Sequence, residues 1–163
     1  MTNHRFLCDE MLHRLGRWLR GAGYDTAIAS GGADDAAVLG HAITDRRLLL
    51  TRDRGIGERR GAAGTVLLLQ AGDVAGQACE LSRRLRLDWL SNAFTRCLVC
   101  NVPVREADAG EAAAAPASVH ARALPVRICP SCRRLYWPGG HEERLRKAYE
   151  ELDAVRRGGG CRG

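Results

Sequence analysis

At 163 residues, 45% hydrophobic and 5% aromatic, the chain has room for one ordinary domain carrying a small appended unit. Twenty-five Lys and Arg, nearly all Arg, against nineteen Asp and Glu leave a net charge of +6, compatible with a nucleic-acid partner and well short of a histone-like charge. No run approaches the roughly 18 apolar residues of a membrane span, and the N-terminus lacks a signal-peptide apolar core, so a soluble cytoplasmic protein with no membrane partner is expected.

In chain order, Arg5-Phe6-Leu7-Cys8 is a short apolar strand ended by Asp9. Met11, Leu12, Leu15, Trp18 and Leu19 then recur at helical spacing until Gly21-Ala22-Gly23 stops the helix. Tyr24 to Ala29 reads as a second strand, and a helix follows from Asp34 or Asp35 through Ala42, with a carboxylate favoured at its N-terminus. Arg47 to Leu50 and Val66 to Leu69 are compact apolar runs that read as buried strands; Ile56 to Arg60 between them predicts a short helix. Val74 to Leu87 predicts a longer helix with Ala75, Ala78, Leu81 and Leu85 inward. Strands alternating with helices, each strand apolar on both faces, predict a parallel α/β sheet covered on both sides.

Chemistry on such a sheet collects at the carboxyl ends of its strands, and three acids fall there: Asp9, Asp35 and Asp53. Each has a structural use as well, Asp35 as a helix cap and Asp53 as a turn residue beside Arg52 and Arg54. Three converging carboxylates would raise one another's pKa unless a hard cation neutralised them, and oxygen ligands with open positions suit Mg²⁺ or Mn²⁺. Such a site activates water against a phosphodiester. No Gly-rich phosphate loop, dinucleotide fingerprint or Ser-His-Asp order competes with it.

The most specific signal is the pair of knuckles Cys97-Leu98-Val99-Cys100 and Cys129-Pro130-Ser131-Cys132. Two C-x-x-C turns offer four thiolates to one tetrahedral ion, structural zinc on this reading, with a rubredoxin-like iron as the alternative. Cys8, Cys79 and Cys161 read as unpaired. Between the knuckles, Glu106 to Ser118 is alanine-rich and reads as a flexible loop. Arg96, Arg133 and Arg134 could track phosphates, as could Arg52 and Arg54, while Tyr136 and Trp137 could stack on an unpaired base or simply pack the ribbon. Glu142 to Val155 predicts an amphipathic closing helix, and the expected division is 1–92, 93–155 and a disordered basic tail, 156–163.

The run from Arg5 to Arg20, with Gly23-Tyr24-Asp25, Arg47 to Arg54, Arg96 to Asn101, the second knuckle and Tyr136-Trp137-Pro138-Gly139-Gly140-His141, resembles the mut-seven C-terminal ribonuclease domain family. Position 13 is His where that family usually has Gly, and position 140 is Gly where Ser is more common. The resemblance implies a PIN-like α/β fold joined to a four-cysteine zinc ribbon, structural Zn²⁺, and RNA cleavage with Mg²⁺ or Mn²⁺ on Asp9, Asp35 and Asp53. A fourth acid is not clearly placed by sequence, Asp73 being the weakest candidate. RNA is the expected partner; a homodimer and an inhibitory protein partner remain open. The competing reading is an RNA-binding ribbon protein without catalysis.

Overall fold

The computed structural model describes residues 4–160. Strands β1 (Arg5–Cys8), β2 (Asp25–Ile28), β3 (Leu48–Thr51) and β4 (Val66–Leu68) form one sheet in the order β2-β1-β3-β4, every pairing parallel. The connections are α1 (His13–Gly21), entered through a 3-10 turn at Glu10–Leu12, then α2 (Asp35–Thr44) and α3 (Arg54–Gly57). Helix α4 (Val74–Leu85) follows β4.

Successive side chains on a strand point to opposite faces, and here both faces are covered. Phe6, Cys8 and Leu50 pack with Leu15 and Leu19 of α1 and Ala78 and Leu81 of α4. Leu7 and Leu49 pack on the other side with Val38, Leu39, Ala42 and Ile56. This double burial is why the strands read as unbroken apolar runs.

The chain leaves β1 through α1 for β2 on one side, returns through α2 to β3 on the other side of β1, and moves outward to β4. The loops after β1 and β3 therefore diverge, and the crevice between their carboxyl ends is the topological switch point at which open α/β sheets bind ligands.

The second unit is a three-stranded antiparallel sheet, β5 (Arg105–Glu106), β6 (Arg127–Ile128) and β7 (Leu135–Tyr136), in the order β5-β6-β7. The alanine-rich segment is ordered here, not a bare loop. It forms α5 (Ala109–Ala112) and α6 (Ala117–Ala121), and the first starts on a capping box in which Asp108 and Glu111 exchange side-chain and backbone bonds. Arg105 and Arg133 both reach the Glu111 carboxylate at 2.7 Å. With Arg105 as the main cause, Glu111 is held down to about 2. Composition alone hides this start signal inside a low-complexity run.

Helix α7 (Gly140–Arg156) crosses back over α1 and α4. Its Tyr149 is fully buried, donates to the Trp18 carbonyl at 2.7 Å, stacks on Phe94 and lies tilted against Trp89. Residues 157–160 close this helix in a turn, and the remainder of the expected tail, with Cys161, lies outside the described residues. Cys79 on α4 is disulfide-bonded, which corrects the expectation of a free thiol. Among the described residues no helix is long and apolar enough to cross a membrane.

Buried polar groups tie the two units together. Arg20 of α1 donates to the Thr26 carbonyl at 2.8 Å and to the Leu98 and Val99 carbonyls of the first knuckle at 3.0 and 2.7 Å. Asn101 donates to Asp25 at 2.7 Å and accepts from the Thr26 N–H at 2.9 Å. Gly23, at φ +93°, lets the chain turn out of α1 where any Cβ would collide with the Asn92 carbonyl.

Asp25 collects the charge in this joint. The Arg47 side chain, 9% exposed, pairs with it at 2.9 Å, and Arg5 does so at 3.0 Å. Burial opposes its ionisation, but bonds from Arg47, Asn101 and Arg5 outweigh that and hold its carboxyl well below the usual range. A depressed native pKa stabilises above the unfolded value near 3.9, and that stability is lost as pH falls below about 4. Asp25→Ala, which leaves the buried Arg47 with only the 3.4 Å Asp45 carboxylate, should cost about 2–4 kcal/mol in urea unfolding at pH 7. The difference from wild type should shrink as the pH is lowered through about 4 towards about 2.

Candidate active site and metal centre

Asp9 follows the last residue of β1, and its N–H continues the ladder by donating to the Leu50 carbonyl of β3 at 3.0 Å. Its carboxylate accepts from the Glu10 N–H at 2.7 Å through Oδ1 and from the Thr51 hydroxyl at 2.8 Å through Oδ2. Thr51, the fully buried last residue of β3, in turn accepts from the Asp53 N–H at 3.0 Å. One hydroxyl thus joins the carboxylate after β1 to the backbone after β3. Asp53 also caps α3, accepting from the Gly55 N–H at 2.7 Å, which starts that helix earlier than the predicted Ile56.

Asp35 stands apart from this pair. Asp34 is the cap of α2, accepting from the Ala37 N–H at 2.8 Å, and Asp35 lies in the first turn with its carboxylate on Arg59 at 3.2 Å. All three acids lie at the carboxyl end of the sheet, and Asp9 and Asp53 are joined through Thr51. Glu10, which the sequence pattern does not single out, reaches across to the loop between β2 and α2: a Cβ at Gly31 would lie 2.8 Å from its Oε1. The adjacent acids Asp9-Glu10 after an apolar strand are the available signal. Asp73 is the cap of α4, accepting from the Gly76 N–H at 3.0 Å.

The cysteines gather much more tightly. Cys97, Cys100, Cys129 and Cys132 bring their Sγ atoms within 4.8 Å of one another, and among the described residues no other set of three or more acids, histidines or cysteines does the like. A tetrahedron with Zn–S near 2.3 Å has S···S edges of about 3.8 Å. The Cys97 and Cys132 sulfurs lie 3.8 Å apart. Each knuckle turns a backbone N–H onto its first sulfur, Cys100 onto Cys97 at 3.3 Å and Cys132 onto Cys129 at 3.4 Å. Burial disfavours the Cys97 thiolate, but the Tyr136 hydroxyl at 3.1 Å and the backbone N–H groups of Cys100 and Val99 prevail and hold it at about 6. Cys100 is pushed the other way, to about 12, chiefly by its bond with Cys132. Four crowded sulfurs cannot all ionise without a cation, and the donor set fits a structural metal such as zinc.

The Mut7-C RNAse domain model matches residues 4–149. This chain belongs to the Mut7-C RNAse domain family. Neither the curated proteins nor the solved structures yield a match. A ribonuclease-like function follows at the level of the family's description.

Within this Mut7-C domain the arginines named from sequence have different surroundings. Arg52 and Arg54 are exposed on either side of Asp53. Arg96 bonds the Gly23 and Asn101 carbonyls, Arg133 is paired with Glu111, and the Tyr136 hydroxyl is spent on Cys97 and the Leu98 N–H. Arg134 and Trp137 line an open groove beside α1.

Cys100→Ser should reduce bound zinc from about one ion per chain to a small fraction of that, measured by elemental analysis. Because a four-thiolate site contributes on the order of 10 kcal/mol to the fold, the melting temperature should drop by about 10 °C or more.

Proposed function

We propose that this domain hydrolyses RNA phosphodiester bonds at the carboxyl edge of its parallel sheet, with Asp9 and Asp53 as the principal catalytic acids and Asp35 as the third. The observation that carries this reading is the placement of Asp9 and Asp53 directly after β1 and β3, the two strands that flank the switch point, joined through the Thr51 hydroxyl. The family's description as a ribonuclease domain supports the same reaction class.

The donor set is hard carboxylate oxygen on a solvent-accessible edge, which fits Mg²⁺ or Mn²⁺ held by Asp9, Asp53 and Asp35. When bound, such an ion supplies Lewis acidity at a phosphoryl oxygen and makes water acidic enough to attack near neutral pH.

The chain's own residues do the positioning. Thr51 donates to Asp9 and accepts from the Asp53 backbone, so both acids are fixed relative to the rigid β1–β3 pair. Arg52 and Arg54 make no ion pair among the described residues and stand beside Asp53, where they would hold the substrate backbone. Arg59 pairs with Asp35 at 3.2 Å, and that exposed pair would have to open for Asp35 to turn to a cation. Glu10 is the acid best placed to complete the set from the β2 side.

The looser spacing of the acids, compared with the cysteines, favours one other reading, in which the domain binds RNA without cutting it. Asp9→Asn and Asp53→Asn separate the two. Each should slow Mn²⁺- or Mg²⁺-dependent cleavage of end-labelled single-stranded RNA by about 100-fold or more, with zinc content and melting temperature close to wild type. Thr51→Val, which leaves the charge but frees the Asp9 rotamer, should slow it about 10- to 100-fold. Full activity in both Asn variants defeats the assignment, and salt-dependent binding without turnover by wild type establishes the binding reading.

A further inference from the structure

A groove of about 710 Å³ runs between α1, the first knuckle, β7 and the start of α7. Its α1 wall carries Arg14 and Arg17, three positions apart and therefore on one helix face. Arg134 faces them from the ribbon. All three are exposed, and among the described residues none enters an ion pair or a side-chain hydrogen bond. Several other described arginines are committed, for example Arg47 to Asp25, Arg105 and Arg133 to Glu111, and Arg156 and Arg157 to Asp153. Glu142, the acid in the groove wall, is spent on Arg127 and Arg146. The groove is therefore a site of uncompensated positive charge.

Aromatic rings line the same groove. Tyr136 is held by its hydroxyl on Cys97 and the Leu98 N–H, both at 3.1 Å, so its ring has a fixed orientation. Trp18 is held edge-on against Tyr149 with ring centroids 6.2 Å apart. Trp137 is half-buried, and its indole N–H has no acceptor among the described residues. At the mouth, the 17-residue α7 begins at Gly140 without a side-chain cap, with Glu142 and Glu143 in its first turn. Arg14 follows Asp9 by five residues, roughly 8–10 Å along the chain, so the α1 wall of the groove starts on the element that leaves Asp9.

We infer that this groove is the docking channel for the unpaired RNA strand next to the scissile phosphate. Arg14, Arg17 and Arg134 take phosphates, and Trp137, backed by Tyr136 and Trp18, takes a base face. Rigid rings need an unstacked base, which a duplex does not present, so the occupant is single-stranded. That the strand is RNA rests on the ribonuclease reading of the acid site.

The test is fluorescence anisotropy of a fluorescein-labelled RNA of about 12 nucleotides, within the span of a single-strand groove, with the zinc-loaded full chain and no added Mg²⁺ or Mn²⁺. Arg14→Ala/Arg17→Ala should weaken binding about 10-fold or more and reduce the slope of log affinity against log salt by about 1.4, two phosphates at about 0.7 each. Trp137→Ala should weaken it about 10-fold with an unchanged slope, and Trp137→Phe should restore most of the loss. The double arginine variant alters only exposed side chains, so it remains a valid probe if Trp137→Ala unfolds. Wild-type affinity in the double arginine variant overturns the channel, as does equal affinity for a duplex of the same length. If the groove variants bind normally while Asp53→Asn is dead, the acid site stands and the channel fails. If Asp53→Asn cuts normally while the groove variants lose binding, the channel stands and the acid assignment fails.

Discussion

The buried guanidinium of Arg20 is the constraint on which the two-unit arrangement depends. It spans from the Thr26 carbonyl of β2 to the Leu98 and Val99 carbonyls of the first cysteine knuckle, and Asn101 returns a bond from the knuckle to β2. An Arg that is 8% exposed must have its donors satisfied, and three carbonyls from two distant segments satisfy them here. The turn that would present Cys97 and Cys100 to a metal also presents its carbonyls to Arg20, so the candidate metal centre and the docking of the ribbon share one turn. The groove between α1 and the ribbon exists because this contact holds its walls at a set distance.

The two candidate metal centres obey different physics. The cysteines are soft ligands on tight turns, preassembled by N–H···S bonds, and their clustering is legible from the side-chain positions alone. The acids are hard ligands that repel one another, so the protein spaces them and satisfies them individually: Asp9 on Thr51, Asp53 on the Gly55 N–H, Asp35 on Arg59. A cation that neutralises them is what would make closer approach favourable. The parallel sheet supplies the rigid part of this design, since β1 and β3 are paired residue for residue up to Cys8 and Leu50.

Much of this is legible in the sequence for identifiable reasons. Strands buried on both faces show as unbroken apolar runs, so all four parallel strands lie within a residue or two of their expected ends. C-x-x-C spacing fixes four ligands by local geometry alone. The relation of Asp9 to Asp53 is readable only as a rule about strand ends, because the Thr51 hydroxyl that joins them acts across strands 42 residues apart in sequence. The partnership of Asp35 with Arg59 and the reach of Glu10 towards Gly31 depend on tertiary approach and leave no pattern in one chain. The order in 106–118 escapes a reading that weighs composition above the Asp108-x-x-Glu111 cap, and the groove escapes it because Arg14 and Trp137 line one groove only once the ribbon docks on α1.

The central claim is that the switch-point carboxylates are a divalent-cation site distinct from the cysteine centre. Anomalous diffraction from crystals soaked in MnCl₂, collected at the Mn and Zn absorption edges, tests it most directly. The account predicts a manganese peak within about 2.5 Å of carboxylate oxygens of Asp9 and Asp53 and a separate zinc peak among the four cysteine sulfurs. Manganese absent from Asp9 and Asp53 while zinc occupies the cysteines would contradict it.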